Sequence, residues 1–454
     1  MEREARRNVH HFHEPARQVP VVDKVDVLVA GGGPAGLIAG IAAARNGART
    51  LVVERYGFLG GMATNGLVGP VLGILPLYTP GRIVGGIPWE MLVRMAGLGG
   101  AILGTEGPYI SFDPEVMKYV ADRMILEAGV RLRLHSFATA VVPGGDRVDG
   151  VILESKSGRQ AVLAKVIVDA TGDADLAAWA GAPVEKGRPQ DGAMQPMTMY
   201  FRLGGMRTDL LPDPRNIVVD CERVMKTLRQ ALQAAVDAGE LPIFGGPWAL
   251  KTCTVRDHEV GVNMVRVYGD ATDVLDLTRV EMEARDHVQR FVAFLRQHSP
   301  AFRDCYLYDT APQIGIRETR RVMGDYVLTA EDILASRRFD DGIALGGHII
   351  DIHSLKGTSE QLVRRVDPYQ IPYRSLLPRD LTNVLVAGRP ISATHEAHSS
   401  LRVMGTCMAL GEAAGTAAAL AARANGVPRD VDVAELLRRL RGQGAIVSAE
   451  EIVA

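Results

Sequence analysis

The stretch Val25–Glu54 reads VDVLVAGGGPAGLIAGIAAARNGARTLVVE, and it decides the class of fold. Its opening run is apolar and rich in valine, which predicts a buried strand. The turn GGGPAG ends that strand, and a helix of small residues follows and is closed by Asn46-Gly47. A second apolar run, Thr50–Glu54, predicts another strand. This order over about 30 residues is the size expected of a βαβ unit that binds a nucleotide.

The glycines of the turn have the spacing Gly31-x-Gly33-x-x-Gly36, and Glu54 stands 18 residues after the last of them. Gly31 allows the tight turn, Gly33 lets a pyrophosphate approach the backbone, and Gly36 permits close packing of helix on strand. Glu54 can accept hydrogen bonds from ribose hydroxyls. The turn therefore predicts an adenine dinucleotide, held by these residues together with neighbouring ones. The neighbours that we expect to take part are Pro34, Ala35 and Arg55.

Length and charge narrow the class of protein. The 454 residues are 47% hydrophobic, and 51 Lys+Arg stand against 53 Asp+Glu. Such a length predicts two or three domains. A formal net charge of -2 argues against a protein that binds nucleic acid or a membrane surface by electrostatic attraction. We therefore expect a small-molecule substrate as the partner, with no nucleic acid and no membrane, and either a homo-oligomer or an electron-transfer partner remains open.

Cysteine usage indicates a reducing compartment. The chain has four cysteines that are far apart and form no CxxC pair: Cys221, Cys253, Cys305 and Cys407. This argues against a disulfide scaffold, a zinc ribbon, an iron–sulfur cluster and a redox dithiol, and we expect a cytoplasmic protein. Residues 1–22 are polar and are predicted to be a leader without an apolar signal segment. Its His10-His11-Phe12-His13 run predicts solvated residues rather than a metal site, and no metal is expected.

The remaining pattern predicts an α/β protein. Three valine-rich runs near 138–142, 148–154 and 160–169 are joined by turn residues and predict a β-meander. The middle third is less regular and is interpreted as an inserted α+β substrate or cap domain. The predicted fold is a Rossmann-like dinucleotide-binding domain that carries the meander and the insertion. The predicted segments are a first part of the binding domain at 23–190, a substrate/cap domain at 191–370, a second part of the binding domain at 371–425, and a helical tail at 426–454.

Three later segments resemble the segments that contact the flavin in two-dinucleotide-fold flavoproteins, and this resemblance favours FAD over NAD as the dinucleotide. A glycine-rich segment, 57–64, follows Glu54 directly; Ala170-Thr171-Gly172-Asp173 ends the meander; and Val386-Ala387-Gly388-Arg389 precedes a long helix of small residues from Met404. Such a helix could aim the positive end of its dipole at the flavin. The residues of these segments that we expect to bind FAD are Gly60, Gly61, Met62, Thr171, Gly172, Asp173, Gly388, Arg389 and Gly405.

Together these motifs resemble the FAD-dependent oxidoreductases related to the succinate dehydrogenase and fumarate reductase flavoproteins, of the two-dinucleotide-fold, glutathione reductase-2-like type. The segment His398-Ser399-Ser400-Leu401-Arg402-Val403-Met404-Gly405 is similar to the fumarate reductase HGANRLG segment. The resemblance implies that His398 and Arg402 lie near the flavin, take part in catalysis and bind an anionic group of the substrate. Ser-Ser-Leu replaces Gly-Ala-Asn, which argues against succinate or fumarate as the substrate. Arg389 stands where many flavoproteins have Asp, so no ribityl-binding carboxylate is expected there.

Four residues are the candidates on the substrate side. His348 and His353 are interpreted as acid/base residues, because a proton carrier active near neutral pH suits dehydrogenation next to an O–H or N–H. Histidines hydrogen-bonded at a domain interface are the alternative, and a metal pair with Asp351 is disfavoured. Arg317 and Arg402 are candidate anion binders. Structural pairing or contact with FAD remains open for both.

The pattern as a whole predicts an FAD-dependent oxidoreductase, a dehydrogenase that transfers a hydride between flavin N5 and a small organic substrate bearing a carboxylate or hydroxyl. The sequence has no second GxGxxG, so the NAD(P)H domain of glutathione-reductase-type enzymes is not expected. Two alternatives remain: a flavin monooxygenase that uses NAD(P)H and oxygen, and a flavoprotein subunit that relays electrons to a partner.

Overall fold

The computed structural model describes residues 12–104, 107–211, 220–248, 253–355 and 361–453, and the side chains of 220–225 are excepted. The predicted leader lies partly outside these ranges, as do His10 and His11. The described helices are α1 (Pro34–Arg45), α2 (Gly86–Gly97), α3 (Pro114–Glu127), α4 (Asp175–Trp179), α5 (Asp220–Asp237), α6 (Val274–His298), α7 (Ala330–Leu334), α8 (His395–Leu401), α9 (Met404–Arg423) and α10 (Val433–Gly442).

The strands belong to one large sheet and several smaller ones. They are β1 (Val21–Ala30), β2 (Thr50–Val53), β3 (Ala101–Ile102), β4 (Ser111–Phe112), β5 (Arg131–Arg133), β6 (Phe137–Pro143), β7 (Val148–Ser155), β8 (Gly158–Asp169), β9 (Val184–Lys186), β10 (Phe201–Gly204), β11 (Phe244–Trp248), β12 (Val260–Val265), β13 (Tyr306–Thr310), β14 (Arg320–Val322), β15 (Gly342–Gly346), β16 (Ile350–His353), β17 (Gln361–Arg364), β18 (Tyr369–Pro372) and β19 (Val384–Val386).

The large sheet has the order β5-β2-β1-β8-β7-β6, and β19 also pairs with β8. Strands β5, β2, β1, β8 and β19 run parallel, whereas β6, β7 and β8 form an antiparallel meander. Along one edge of β8, β7 pairs with its first half and β19 with its last residues. The predicted Rossmann-like sheet with a meander is therefore confirmed.

The first strand begins earlier than the apolar pattern indicated. It starts at Val21 rather than Val25, inside the segment that was predicted to be leader. Its first residues are exposed, and only the part from Val25 onward is consistently buried, apart from the half-buried Asp26. Hydropathy detects buried backbone and misses an exposed strand extension, which the ladder with β8 holds in place.

The first helix and the last long helix pack backbone against backbone. A Cβ at Gly411 of α9 would lie 2.1 Å from the Ala35 carbonyl oxygen, and one at Gly415 would lie 2.1 Å from that of Ala39, both on α1. These two glycines therefore allow α9 to approach α1 closely. Both helices lie on the sheet that carries the first glycine turn.

A second hydrophobic core lies in the predicted insertion. It contains an antiparallel sheet of order β11-β12-β10-β13 and the buried stripe of α6, formed by Ala284, Val288, Phe291, Val292 and Leu295. This core takes its residues from between 197 and 316, together with Leu67. Most of the buried hydrophobic residues from Val322 to Tyr373 belong to the first core, which is the one that contains the large sheet, α1 and α9. The domain boundaries at 190 and 370 stay predictions.

Within the described ranges, no single helix has both the length and the apolarity to cross a membrane. The pair α8 and α9 passes the test together, but it bends by 93° and is mostly buried. The apolar run from Val25 to Ala44 forms a buried strand and a buried helix.

Candidate active site

A cleft of about 630 Å³ lies between the large sheet and the second core. The first glycine turn lines one part of it and the start of α9 lines another. Thr198 and Tyr200, just before β10, and Asn263 of β12 line it on the side of the second core. Of the residues expected from the sequence, the following line the cleft: Gly31, Gly33, Pro34, Ala35, Glu54, Arg55, Gly61, Met62, Thr171, Gly172, Asp173, His348, His353, Arg317, Gly388, Arg389 and Arg402. Gly36, Gly60, His398 and Gly405 do not line it.

The first glycine turn has the geometry that a dinucleotide needs. Gly31 has φ +96°, a left-handed conformation that favours glycine. A Cβ on Gly36 would lie 1.8 Å from the Gly31 carbonyl oxygen, so Gly36 serves packing. A Cβ on Gly33 would meet nothing nearer than Gly61 Cα at 3.8 Å, and the helix that follows has no side-chain cap. The turn thus leaves room for an anion at a free helix N-terminus.

Glu54 lies buried beside this turn. Its carboxylate accepts hydrogen bonds from the backbone N–H of Gly32 at 2.7 Å and of Tyr56 at 3.0 Å. Burial raises the pKa of Glu54 above its ordinary value, and the two N–H donors partly oppose that shift. Gly60 donates its N–H to the Gly32 carbonyl oxygen at 2.9 Å, which ties the second glycine segment to the first. Gly60 therefore braces the turn from outside the cleft.

An ion pair forms another part of the cleft wall. Arg389 Nη2 lies 2.6 Å from Asp173 Oδ1, and Thr319 donates its hydroxyl to the same oxygen at 2.6 Å. Arg389 occupies the position at which many flavoproteins have an Asp. Its positive charge is balanced by Asp173 of the TGD segment. This wall carries little net charge toward the cleft.

At the far end the cleft reaches Val403 and Met404, the N-cap and first residue of α9. This N-terminus has no side-chain cap hydrogen bond. The next residue, Gly405, donates its N–H to the Leu72 carbonyl oxygen at 2.8 Å, and its Cβ position faces the backbone of Gly73. Gly405 therefore seats the helix rather than facing the cleft.

The substrate side is centred on Arg402 and Asp351. Arg402 Nη2 lies 3.5 Å from Asp351 Oδ2, and it donates to the backbone oxygen of Asp351 and to Gln195 Oε1, both at 3.3 Å. His353 Nε2 lies 3.5 Å from the same Asp351 oxygen. Arg402 Nε has no hydrogen-bond partner among the described residues. Asp351, which the sequence indicated only as a disfavoured metal partner, is the carboxylate that connects these residues.

Both histidines are buried and neutral. Burial lowers the pKa of His348 to about 4, against an ordinary value of 6.5. Burial, followed by the positive charge of Arg317, lowers the pKa of His353 well below its usual range. A proton carrier poised near neutral pH was expected; the low-dielectric surroundings and the arginines instead keep both rings uncharged at pH 7.

The departure from the HGANRLG pattern has a structural reason. Ser400 donates its hydroxyl to the His348 backbone oxygen and shares a 2.7 Å hydrogen bond with the Tyr369 hydroxyl. Ser399 Oγ accepts the Asp351 N–H at 3.0 Å. The two serines of α8 therefore hold the segment that carries His348 and Asp351 in place.

Arg317 lies on the wall formed by the second core and is 8% exposed. It donates to the Pro196 carbonyl oxygen at 2.7 Å and to the Thr198 hydroxyl, and a longer bond of 3.4 Å joins it to Asn263 Oδ1. No carboxylate in the described chain forms an ion pair with it. Burial, then repulsion from Arg266 and Arg402, lowers the pKa of Arg317 well below its ordinary value.

His398 lies behind the site rather than in it. It is fully buried, and neither of its ring nitrogens has a hydrogen-bond partner among the described residues. Nearby, the buried carboxylate of Glu318 accepts from Arg321 at 2.5 Å and from His395 Nδ1 at 2.8 Å. The two segments 315–321 and 391–398 are thus joined by buried ion pairs. The first segment lines the cleft through Gly315, Ile316 and Arg317, and the second does not line it.

The shape and the lining of the cleft fit FAD. The open space at Gly33 is a cradle that a Cβ would fill, and the glycine turn, Glu54 and the start of α9 all border one continuous cavity. Its volume lies within the ~300–1,000 Å³ typical of ligand sites. Among the described residues, no three His, Cys, Asp or Glu side chains converge as a metal site.

Comparison with known proteins agrees with this geometry. A family profile described as FAD dependent oxidoreductase matches residues 26–440. Thiamine thiazole synthase of Methanococcus vannielii is 28% identical over 157 residues, which are 33% of this chain and 56% of that protein. The chain therefore spans little more than half the length of this curated relative.

Solved structures of similar fold are more distant. A geranylgeranyl bacteriochlorophyll reductase-like protein of Thermoplasma acidophilum is 13% identical, with a TM-score of 0.42, covering 93% of this chain and 84% of that one. The p-nitrophenol 4-monooxygenase of Pseudomonas putida is 11% identical, with a TM-score of 0.45, covering 92% and 84%. A flavin-dependent brominase is 13% identical, with a TM-score of 0.45, covering 92% and 83%.

Proposed function

The chain belongs to the FAD-dependent oxidoreductase family, its cofactor is FAD, and we propose that it is a dehydrogenase acting on a small organic anion. The substrate would carry a carboxylate or a hydroxyl next to the C–H bond that is oxidised. The observation that carries the proposal is the cluster of Arg402, Asp351, His353 and Arg317, which lines the same cleft as the dinucleotide turn. When bound, FAD exchanges a hydride with the substrate at N5.

The glycine turn and Glu54 would hold the adenosine and pyrophosphate end of FAD. Gly33 offers the open backbone, α1 offers its uncapped N-terminus, and Glu54 is already oriented by two backbone N–H groups. Met404 and the Asp173–Arg389 pair would border the rest of the cofactor. The resemblance to the succinate dehydrogenase and fumarate reductase flavoproteins is part of this proposal and rests on 398–405.

The two arginines would bind the anionic group of the substrate. Two carboxylates act on these guanidinium charges, Asp351 on both arginines and Glu318 on Arg402. Glu318 is already paired with Arg321 and His395, which leaves Asp351 for Arg317 and Arg402. Burial lowers the pKa of both arginines, which means that their charged forms lack solvation. A carboxylate that enters the cleft would restore it, through hydrogen bonds that a buried site makes strong.

The histidines would act as neutral groups. His353, 3.5 Å from Asp351, is placed to take a proton from a substrate O–H or N–H and to be stabilised as a cation by that carboxylate. His348 lies fixed by Ser400 on the same wall and is the second candidate for this role. Asp351 would position His353 and Arg402 together.

The test is anaerobic and uses the purified holoprotein. Candidate 2-hydroxy acids, amino acids and dicarboxylates are mixed with it, and bleaching of the visible flavin absorbance is followed without NAD(P)H. With the substrate so identified, Arg402→Gln should slow bleaching at low substrate concentration by about tenfold or more, the usual effect of losing a hydrogen bond to a charged group. The exposed Arg438→Gln on α10 is the matched control and should be unchanged.

Other outcomes identify the alternatives. Rapid NAD(P)H oxidation in air with a hydroxylated product would favour a monooxygenase. Turnover seen only with an electron-accepting partner protein would favour a relay subunit. The proposal fails if Arg402→Gln, His348→Ala and His353→Ala each leave the bleaching rate unchanged. A cytoplasmic location and a homo-oligomer or electron-transfer partner remain predictions of the sequence.

A further inference from the structure

Behind the wall that carries Arg317 lies a second cavity of about 570 Å³. It is bordered by α5, by β11 and by the end of β12, all part of the second core. It shares Arg229, Trp248, His353 and Gln361 with the main cleft, so the two spaces adjoin. None of the residues proposed above to hold FAD lines this second cavity.

The lining of the second cavity is cationic. Lys226, Arg229 and Arg266 face it, and no Asp or Glu lines it within the described part of the chain. His353, which borders it as well, is kept neutral by burial and by the surrounding arginines. The nearest carboxylate in the electrostatic surroundings of Arg266 is Asp351, which lines the main cleft.

One face of α5 supplies a wall of this cavity. Lys226, Arg229, Gln230 and Gln233 all line it, and their spacing of three and four residues places them on a single helix face. Arg229 stacks over the Trp248 ring, with its guanidinium carbon 4.1 Å from the ring centroid. This face therefore presents hydrogen-bond donors and amide groups rather than the apolar residues that usually cover a core.

Arg266 supplies the floor. It is 3% exposed, and its Nη1 donates to Thr198 Oγ1 at 2.8 Å, to Asn263 Oδ1 at 2.9 Å and to the Val265 carbonyl oxygen at 2.8 Å. Its Nη2 is buried and has no hydrogen-bond partner among the described residues. A Cβ on Gly245 would lie 2.1 Å from that nitrogen, so the absence of a side chain there makes room for the guanidinium.

Arg266 and Arg317 stand back to back. Both donate to the Thr198 hydroxyl and to Asn263 Oδ1, one from the second cavity and one from the main cleft. Neither forms an ion pair with a carboxylate in the described ranges. Two adjacent buried cations that form no ion pair are costly, and an anion on each side would offset that cost.

We propose that the second cavity is a binding site for an oxyanion, the carboxylate or phosphate group of an organic ligand, held by Arg266 Nη2 with Lys226 at its rim. This site is separate from the anion position at Arg402, and it does not depend on the reaction proposed for the flavin side. Because it adjoins His353, its occupant would sit beside the substrate position, either as the far end of a long substrate or as a second ligand.

The test is calorimetric titration of the FAD-saturated protein with inorganic phosphate and, separately, with malonate. At least one of the two should still bind with one site per chain when the titration is repeated on the Arg402→Gln variant, which weakens the anion position of the main cleft. The tighter of the two identifies the class of oxyanion. Arg266→Gln should weaken that binding by about tenfold or more, because a buried charge-assisted hydrogen bond is lost. Lys226→Gln, an exposed change that leaves the fold intact, should weaken it by about threefold.

Arg438→Gln, exposed on α10, serves as the control for a lost positive charge and should leave the affinity unchanged. The proposal is overturned if neither anion binds, or if both Arg266→Gln and Lys226→Gln bind as the unaltered protein does. It is also overturned if Arg402→Gln, rather than the other two variants, abolishes binding, since the anion then occupies the main cleft. None of these results depends on flavin reduction, so this proposal and the proposed function can fail separately.

Discussion

The charge of individual buried residues determines what this protein can bind. Arg317, Arg402 and Arg266 are largely buried, while Asp351 is the carboxylate among them. A lysine could lose its proton under such burial, but a guanidinium keeps its charge near neutral pH. Burial lowers the pKa of Arg266 to about 10, which is still well above 7. The site therefore stays positive, and the substrate is expected to supply the missing negative charge.

The pKa of His348 predicts an acidic limit for activity. Since burial lowers it to about 4, the ring is neutral throughout the physiological range. With the substrate identified, the rate of anaerobic flavin reduction is expected to stay flat from about pH 6 to 8 and to fall below about pH 5, as the ring gains a proton. Stopped-flow absorbance at a series of pH values measures this.

His348→Gln provides the comparison for that profile. If His353 alone accepts the substrate's proton, the His348→Gln variant keeps a measurable rate of flavin reduction. The pH at which that rate falls should then shift, because the titrating ring of His348 has been removed. A limb centred near 6.5 in the unaltered protein would contradict the low pKa and indicate a solvated histidine.

At the scale of elements, the site is built where strand and helix ends meet. The first glycine turn joins β1 to α1, α9 begins at the other end of the cleft, and α8 supplies the serines that fix β16. Each of these contacts is made by backbone atoms or by short side chains. An added methyl group is therefore expected to affect cofactor binding at one position and folding at a neighbouring position.

Substitutions in the turn should separate cofactor binding from folding. Gly33→Ala adds a Cβ into open space that faces the cleft, so the protein should fold normally but bind FAD about tenfold more weakly, because the pyrophosphate loses its close approach. Gly36→Ala places a Cβ 1.8 Å from a backbone oxygen and should destabilise the fold by about 1–3 kcal/mol or more. Flavin content after FAD titration and thermal unfolding measure the two effects.

Gly97→Ala, at the end of α2 with nothing within 4 Å of its Cβ position, is the matched control and should leave FAD binding unchanged and the fold no less stable. Equal loss of stability in the Gly33 and Gly36 variants would argue that Gly33, like Gly36, serves packing.

Much of this level was predictable from local pattern. The βαβ unit and the meander are confirmed, because each depends on residues close in sequence. The exposed start of β1 and the backbone contact between α9 and α1 were not, because each depends on a partner distant in the chain.

For the whole molecule, one buried acid joins three helices. Glu412 of α9 is 1% exposed and accepts hydrogen bonds from the Ile87 N–H of α2 at 3.2 Å and from Gln443 Nε2, after α10, at 3.4 Å. Burial raises its pKa from 4.5 to about 8. Between these values the folded state holds a proton that the unfolded state releases, so its contribution to stability is lost as the pH rises through 8.

Glu412→Gln should remove that pH dependence. The amide keeps an acceptor for Ile87 and never ionises, so the variant should match the unaltered protein near pH 5 and unfold at a temperature a few degrees higher near pH 9. Thermal unfolding of the holoprotein at the two pH values measures the difference. Glu115→Gln, on the surface of α3, is the control. A Glu412→Gln variant that is less stable at pH 9 would mean that the charged carboxylate is itself stabilising.

Sequence alone determined the class of fold, the dinucleotide and a set of candidate residues most of which line its cleft, because strand–turn–helix periodicity and glycine spacing are local properties of the chain. Tertiary structure alone decided which charged side chains meet. It placed His398 behind the site, made Asp351 its central carboxylate, and set Arg266 against Arg317. Burial and the distance between charges arise only when segments far apart in the chain pack together, and these two quantities decide where an anion can bind.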